Sequence, residues 1–205
     1  MRRMGEAWSW DDRRTLAPPA VAMNVRDLCY SRGVHPTGES MYFCRPELAS
    51  DVKAIRDILE AAFATPAEAR LVDALRASGQ LVVSLVAADA SGPVGHIAFS
   101  TVTVGDAKGL GLAPLAVLPA HQNRGVAALL VREGLATCGT LDCGFVVVLG
   151  EPEYYGRFGF TRASALSLDN EYGVDEAFMV IELRTGALPA EGGLVRYAPE
   201  FALVG

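Results

Sequence analysis

The chain has 205 residues, of which 51% are hydrophobic and 20% are charged, and its formal net charge at pH 7 is −6. That length is enough to bury one full hydrophobic core, with or without a tail. Nucleic-acid-binding proteins carry clustered Lys and Arg, and a membrane-spanning helix needs roughly 18 consecutive apolar residues. The sequence has neither feature, so we expect no nucleic-acid partner and no membrane partner.

Cysteine and histidine are sparse. None of the four cysteines belongs to a C-x-x-C pair, and only three histidines are present, so the sequence favours no metal site. The N-terminus carries no convincing signal peptide, because acidic residues follow Arg2 and Arg3 and two prolines split the first apolar patch. We therefore expect a cytoplasmic protein with reduced thiols.

The first forty residues differ in pattern from the rest. They mix aromatic, charged and proline residues without a sustained hydrophobic period, which is typical of sequence that cannot bury a core. We interpret residues 1–40 as a disordered tail, or as an extension upstream of a start at Met41. Residues 41–205 are then the folded domain.

From Met41 onward the hydrophobic period is regular. "MYFCRPE" is a short strand candidate, and helical spacing follows from Val52 to Phe63 and again up to Gly79. Three strands joined by short turns come next, and they predict an antiparallel meander. They lie at 81–88, 94–104 and 110–118.

After this meander the period changes from two to 3.6 residues. One helical face carries apolar residues from Ala127 to Cys138, and "FVVVL" at 145–149 reads as a buried strand. Because a helix connects 110–118 to 145–149, we expect these two strands to lie side by side and parallel. A last strand is predicted at 176–183.

The turn before this helix, "PAHQNRG", is a candidate phosphate site. The first N–H groups of a helix have no partner within it and carry the positive end of the helix dipole. Gly125 lets another backbone or a ligand come close. An ordinary strand–helix connection remains open on this evidence alone.

Two segments together resemble a known family. "LAVLPAHQNRGVAALLV" is similar to the acetyl-CoA-binding motif of the GNAT superfamily of N-acetyltransferases, Gln/Arg-x-x-Gly-x-Gly/Ala, through Gln122, Gly125 and Ala127. "VVVLGEPEYYGRFGF" resembles the second cofactor segment of that family, in which an aromatic–Tyr pair precedes Gly-Phe. With the "GHIAFS" and "EAFMVIEL" strands, the pattern is close to the YhbS-like branch of predicted acetyltransferases. The resemblance covers about residues 41–200.

The resemblance implies a fold and an activity. The fold is α/β (α+β), with a central mixed, mostly antiparallel sheet that is splayed between its fourth and fifth strands, here 110–118 and 145–149, and helices on both faces. The activity is transfer of an acetyl group from acetyl-CoA to a primary amine of a small molecule or peptide, by direct attack in a ternary complex. A non-catalytic acyl-CoA-binding sensor or regulatory module of the same fold is the alternative. A homodimer is also left open.

The resemblance also assigns the cofactor site. The pantetheine arm would pair with the strand before the turn, mainly at Val117, and the pyrophosphate would take N–H groups from the turn. Pro114 independently marks a bulge or an edge in that strand, because proline cannot donate a ladder hydrogen bond. The assigned positions are Leu115, Ala116, Val117, Leu118, Gln122, Asn123, Arg124, Gly125, Val126, Ala127 and Tyr155.

The catalytic residues follow the same alignment. Tyr155 matches the tyrosine that protonates or stabilises the departing thiolate, and Tyr154 takes the preceding aromatic position. Many relatives use a carboxylate on the strand before the turn as the base, but 110–118 holds no Asp or Glu. His96, Glu151 or a water relay therefore remain as alternatives for removing the proton of the amine.

Overall fold

The structure, a computed structural model, describes residues 31–34 and 41–203. The strands are β1 Ser31–Val34, β2 Met41–Pro46, β3 Leu81–Asp89, β4 Gly92–Val104, β5 Ala107–Val117, β6 Phe145–Leu149, β7 Thr161–Arg162, β8 Leu168–Asn170, β9 Phe178–Glu182 and β10 Gly193–Val195. Among these residues, the main sheet has eight strands in the order β1-β2-β3-β4-β5-β6-β9-β7, and β8 and β10 form a separate parallel pair. The α-helices are α1 Val52–Ala62, α2 Ala67–Ser78, α3 Val126–Thr140 and α4 Pro152–Tyr155.

Four residues of the predicted tail have a place in the sheet. Ser31–Val34 pairs antiparallel with β2, from Ser31 opposite Cys44 to Val34 opposite Met41. The remainder of residues 1–40 lies outside the described residues, so its predicted disorder and its origin as an upstream extension stay predictions.

Helices cover both faces of the sheet, as the resemblance implied. Side chains of a strand alternate between the two faces, so one strand supplies both layers. On β4, Ile97 and Phe99 pack with Leu130 and Val131 of α3 in one core cluster. Ala98, between them, belongs to the second cluster, whose α-helical members come from α1 and α2. They are Ile55, Ile58, Leu59, Ala69, Leu71, Val72 and Leu75.

The predicted parallel pair is confirmed, and it is short. β5 and β6 are paired only from Leu110 opposite Val146 to Leu112 opposite Val148. Beyond this point β6 continues beside β9 up to Leu149 opposite Phe178. β5 continues beside β4 up to Val117 opposite Gly95. The sheet therefore splays at this position.

The splay begins at a bulge in β5. Ile97 faces Leu115 and Phe99 faces Leu112, so Ala98 opposes both Ala113 and Pro114. Two residues opposite one define a β-bulge, which bends its strand. Pro114 indicated a bulge or an edge, and the structure has a bulge here, where β5 leaves β6.

Two glycines of α3 allow a test of this packing. A Cβ at Gly134 would lie 2.5 Å from ring atoms of the fully buried Phe99, whereas one at Gly139 would meet nothing within 4 Å. We expect Gly134→Ala to lower the free energy of unfolding by about 1–3 kcal/mol, because the core must be displaced. Gly139→Ala, the matched control, should leave it unchanged or raise it by up to about 1 kcal/mol. Urea denaturation measures both, and equal effects would contradict the packing of α3 on β4.

Candidate active site

The end of β5 presents free backbone groups where β6 has parted from it. The N–H of Leu118 donates to the carbonyl of Val94, 2.9 Å away, so the backbone of Leu118 faces β4. Backbone groups of a strand alternate in direction, and those of Val117 therefore face the splay. The side-chain amide of Gln122 donates to the Val117 carbonyl at 3.1 Å. The N–H of Val117 is left as a donor for an extended ligand.

The turn after β5 collects further N–H groups. Asn123 and Gly125 have φ values of 59° and 82°, in the left-handed region that asparagine and glycine tolerate best. The hydrogen-bond ladder of α3 starts with the N–H of Leu129, which donates to the carbonyl of Gly125 at 2.9 Å. The four N–H groups from Gly125 to Ala128 precede that ladder and have no partner within the helix. An added Cβ at Gly125 would meet only open space, so a ligand can approach.

These two features suit different parts of one cofactor. The N-terminus of α3 offers N–H groups and a positive dipole end to an anion such as a pyrophosphate. The edge of β5 offers strand-like hydrogen bonds to amide groups. Because Val117 and Gly125 are joined by one short turn, a ligand with both groups fits. The residues present thus fit the geometry expected for acetyl-CoA.

On the β6 side of the splay, the Tyr155 ring packs against a glycine. A Cβ at Gly150, which follows β6, would lie 2.3 Å from Cε2 of Tyr155, so the ring occupies the space above this glycine. The ring packs edge-on against Phe160 and Tyr154, with centroids 5.7 and 5.1 Å apart. It belongs to the same core cluster as Val117 and Val126. Burial, followed by the neighbouring Tyr154, raises the pKa of Tyr155, so the phenol keeps its proton at neutral pH.

His96 lies in a buried polar chain. Ser84 Oγ is 2.8 Å from His96 Nε2 and donates its proton to a carboxylate oxygen of Glu47. Arg76 donates to the same carboxylate, with Nε 2.7 Å from Oε1, so Glu47 accepts hydrogen bonds from both side chains. Because the one hydroxyl proton of Ser84 is used on Glu47, we infer that His96 Nε2 carries a proton and donates to Ser84. His96 Nδ1 is then a bare acceptor, and it has no partner among the described residues.

The structure does not support His96 as a direct base. Its side chain is fully buried, and burial, with a smaller contribution from Arg76, lowers its pKa to about 3. A group with this pKa takes up a proton poorly at neutral pH. Glu151 is exposed, and its backbone carbonyl accepts hydrogen bonds from the N–H groups of Tyr154 and Tyr155, both at 3.0 Å. The identity of the base stays a prediction.

Sequence reasoning missed Gly150 and the polar chain behind His96. Gly150 carries a weak signal, since it directly follows a buried strand and precedes the Tyr pair. Ser84 carries a stronger one, because a polar residue within the apolar run "LVVSLVAA" must find a hydrogen-bond partner. Nothing local indicates that this partner is Glu47, 37 residues earlier.

Comparison with known proteins identifies the family. The model of the acetyltransferase (GNAT) family matches residues 52–160, which is more than half of the chain. The chain belongs to the GNAT family of acetyltransferases. It is 40% identical over 161 residues to an uncharacterized N-acetyltransferase of Escherichia coli K12, YhbS, and the match covers 77% of this chain and 96% of that relative.

Two solved structures show the same fold at moderate identity. YhbS from Escherichia coli, in complex with CoA, superposes with a TM-score of 0.75 at 34% identity and covers 89% of this chain and 98% of its own. A GNAT family acetyltransferase from Brucella melitensis, in complex with acetyl-CoA, gives a TM-score of 0.66 at 35% identity, covering 78% and 97%.

Two features are absent from the described ranges, 31–34 and 41–203. No group of three or more His, Cys, Asp or Glu side chains in them is arranged to hold a metal ion. None of their helices combines the length and the hydropathy that a transmembrane span requires.

The burial of His96 predicts a pH dependence of stability. The folded protein binds a proton at His96 only near pH 3, whereas the unfolded chain binds it near pH 6.5. As the pH falls, the unfolded state therefore takes up this proton first. The free energy of unfolding decreases below about pH 6.5, because proton binding then favours the unfolded state. Relative to His96→Gln, the wild type should lose about 1.4 kcal/mol of unfolding free energy per pH unit between pH 6 and 5. Parallel stability curves for both proteins would contradict a neutral, buried His96.

Proposed function

We propose that this protein transfers the acetyl group of acetyl-CoA to a primary amine of a small molecule or peptide, by direct attack within a ternary complex. The observation that carries the proposal is the continuity between the free edge of β5 and the turn at the start of α3. Val117 offers an N–H to an extended chain, and Gly125 to Ala128 offer N–H groups to an anion. The solved relatives named above, with CoA and acetyl-CoA, support the same ligand.

The cofactor residues divide into two groups. Leu115 to Leu118 line the extended arm, and Gln122 to Ala127 surround the pyrophosphate. Gln122 also ties the two groups together, because its side chain holds the Val117 carbonyl. Bound acetyl-CoA supplies an acetyl thioester. Holding this group and the amine in one site accounts for much of the rate gain.

Tyr155 acts on the leaving group. As the amine nitrogen bonds to the acetyl carbon, the carbon–sulfur bond breaks and the sulfur takes up negative charge. The Tyr155 hydroxyl, which keeps its proton, donates a hydrogen bond or that proton to the sulfur. The described residues offer this hydroxyl no hydrogen-bond partner, so it is available to the sulfur.

The amine reaches the site as an ammonium ion and must lose a proton. Water carries this proton away in our proposal, because His96 is sealed in the core and β5 holds no Asp or Glu. Glu151, exposed four residues before Tyr155, is the carboxylate that would receive it. Glu151→Gln should then lower kcat, because this acceptor for the proton is lost.

A non-catalytic acyl-CoA-binding module is the second candidate. The missing carboxylate on β5 favours it, and the retained Tyr155 argues against it. Incubation with acetyl-CoA and a library of small and peptide amines distinguishes the two, with free CoA as the readout. Amine-dependent release of CoA supports the transferase, whereas tight binding without any release supports the module.

Two substitutions at Gly125 that differ only in charge test the assignment of the turn as the phosphate site. Gly125→Glu and Gly125→Gln both put a side chain at a φ of 82°, so both carry the same conformational cost. Only Glu adds a negative charge where the pyrophosphate would lie. We expect the Glu variant to bind CoA at least about tenfold more weakly than the Gln variant, a difference of about 1.4 kcal/mol. Calorimetric titration measures this, and equal affinities in two folded variants would remove the phosphate assignment.

Tyr155 can be tested against its neighbour. Tyr155→Phe keeps the ring and removes the hydroxyl, so kcat should fall at least about tenfold while acetyl-CoA binding is retained. Tyr154→Phe is the control, because its hydroxyl is buried and has no partner among the described residues. It should change kcat little. A loss of binding in Tyr155→Phe that matches its loss of rate would make Tyr155 a packing residue.

A further inference from the structure

Some arginines in and after the turn have no carboxylate partner among the described residues. In residues 41–203, seven of the twelve lysines and arginines lie within 4.0 Å of a carboxylate oxygen. Five do not: Arg70, Lys108, Arg124, Arg132 and Arg157. In a chain with a net charge of −6, cations without acidic partners are unexpected. Three of these five belong to the turn, to α3 and to the segment that follows α4.

Two of these arginines share one aromatic surface. The guanidinium carbon of Arg157 lies 4.5 Å from the centre of the Tyr154 ring and 5.6 Å from that of Phe158. The guanidinium carbon of Arg132 lies 5.8 Å from the centre of the same Phe158 ring. Nε of Arg157 also donates to the carbonyl of Tyr154 at 3.2 Å, which fixes the side chain and leaves its terminal nitrogens available. Contact with aromatic rings holds arginine side chains without neutralising their charge.

This surface lies beside the pyrophosphate turn. Arg132 and Gly125 are seven residues apart, so they share one face of α3 and are separated by about 10 Å along its axis. Tyr154 and Phe158 pack against the core cluster that includes Val126 of the same helix. A ligand that leaves the turn along this face of α3 meets both guanidinium groups.

CoA carries a second phosphate that suits this surface. Its adenosine end has a pyrophosphate on the 5′ oxygen and a phosphomonoester on the 3′ oxygen. A phosphomonoester is close to a dianion at neutral pH, and arginine binds it through several N–H groups. We propose that Arg132 and Arg157, held on the rings of Phe158 and Tyr154, bind the 3′-phosphate of CoA. This assignment rests on the proposed function, since it takes CoA as the ligand.

The test compares CoA with 3′-dephospho-CoA, which lacks only this phosphate. Calorimetric titration of the wild-type protein should give a Kd for CoA that is at least about tenfold lower than the Kd for 3′-dephospho-CoA. Arg132→Gln and Arg157→Gln should each reduce the ratio of these two Kd values and leave the affinity for 3′-dephospho-CoA unchanged. That affinity also reports any damage to the fold. Arg70→Gln, which removes another unpaired arginine on α2, is the control and should keep the wild-type ratio.

The outcomes separate this assignment from the proposed function. A wild-type ratio near one, with both ligands bound, would overturn the 3′-phosphate site and leave the acetyltransferase proposal standing. The site would also be overturned if neither Arg132→Gln nor Arg157→Gln changed the ratio of the two Kd values. An equal reduction of that ratio by Arg70→Gln would overturn it as well. Failure of both ligands to bind the wild-type protein would overturn the two proposals together.

Discussion

The separation of β5 from β6 is the constraint on which the rest of the site depends. The two strands are paired over three residues only, and beyond them β6 has β9 as a full partner while β5 has β4 on one side alone. Backbone groups inside a protein need hydrogen-bond partners, and unmet ones are costly. The free edge of β5 is thus kept open within an otherwise paired sheet, and a ligand that pairs with it removes this cost.

Local features on each side of the gap turn it into a reaction site. On the β5 side, the bulge at Ala113 and Pro114 bends the strand away, and the turn leads directly into α3, where unpaired N–H groups face outward. On the β6 side, Gly150 leaves room for the ring of Tyr155. The same opening therefore contains the edge of β5 for an extended arm, the positive end of the α3 dipole for phosphate and the protonated Tyr155 phenol for a leaving group.

Sequence patterns predicted the elements that depend on local periodicity. The strand at 145–149 and its parallel pairing with β5 follow from residue order. Pro114 indicated a bulge or an edge, and its missing N–H donor accounts for the bulge that is present. The cofactor positions came from family resemblance. The contact of Gly150 with Tyr155 and the chain from Glu47 through Ser84 to His96 were not predictable, because they join residues that only the tertiary fold brings together.

Amide hydrogen exchange at the end of β5 tests the central claim most directly. The N–H of Val117 faces the gap, whereas Ala116, paired with His96 of β4, serves as a neighbouring reference. If the arm of CoA completes this edge, saturating CoA should slow exchange at Val117 by at least about tenfold more than at Ala116, since a new hydrogen bond then protects it. Slower exchange at Gly125 to Ala128 with no change at Val117 would contradict the account, because the ligand would then bind the turn without filling the gap.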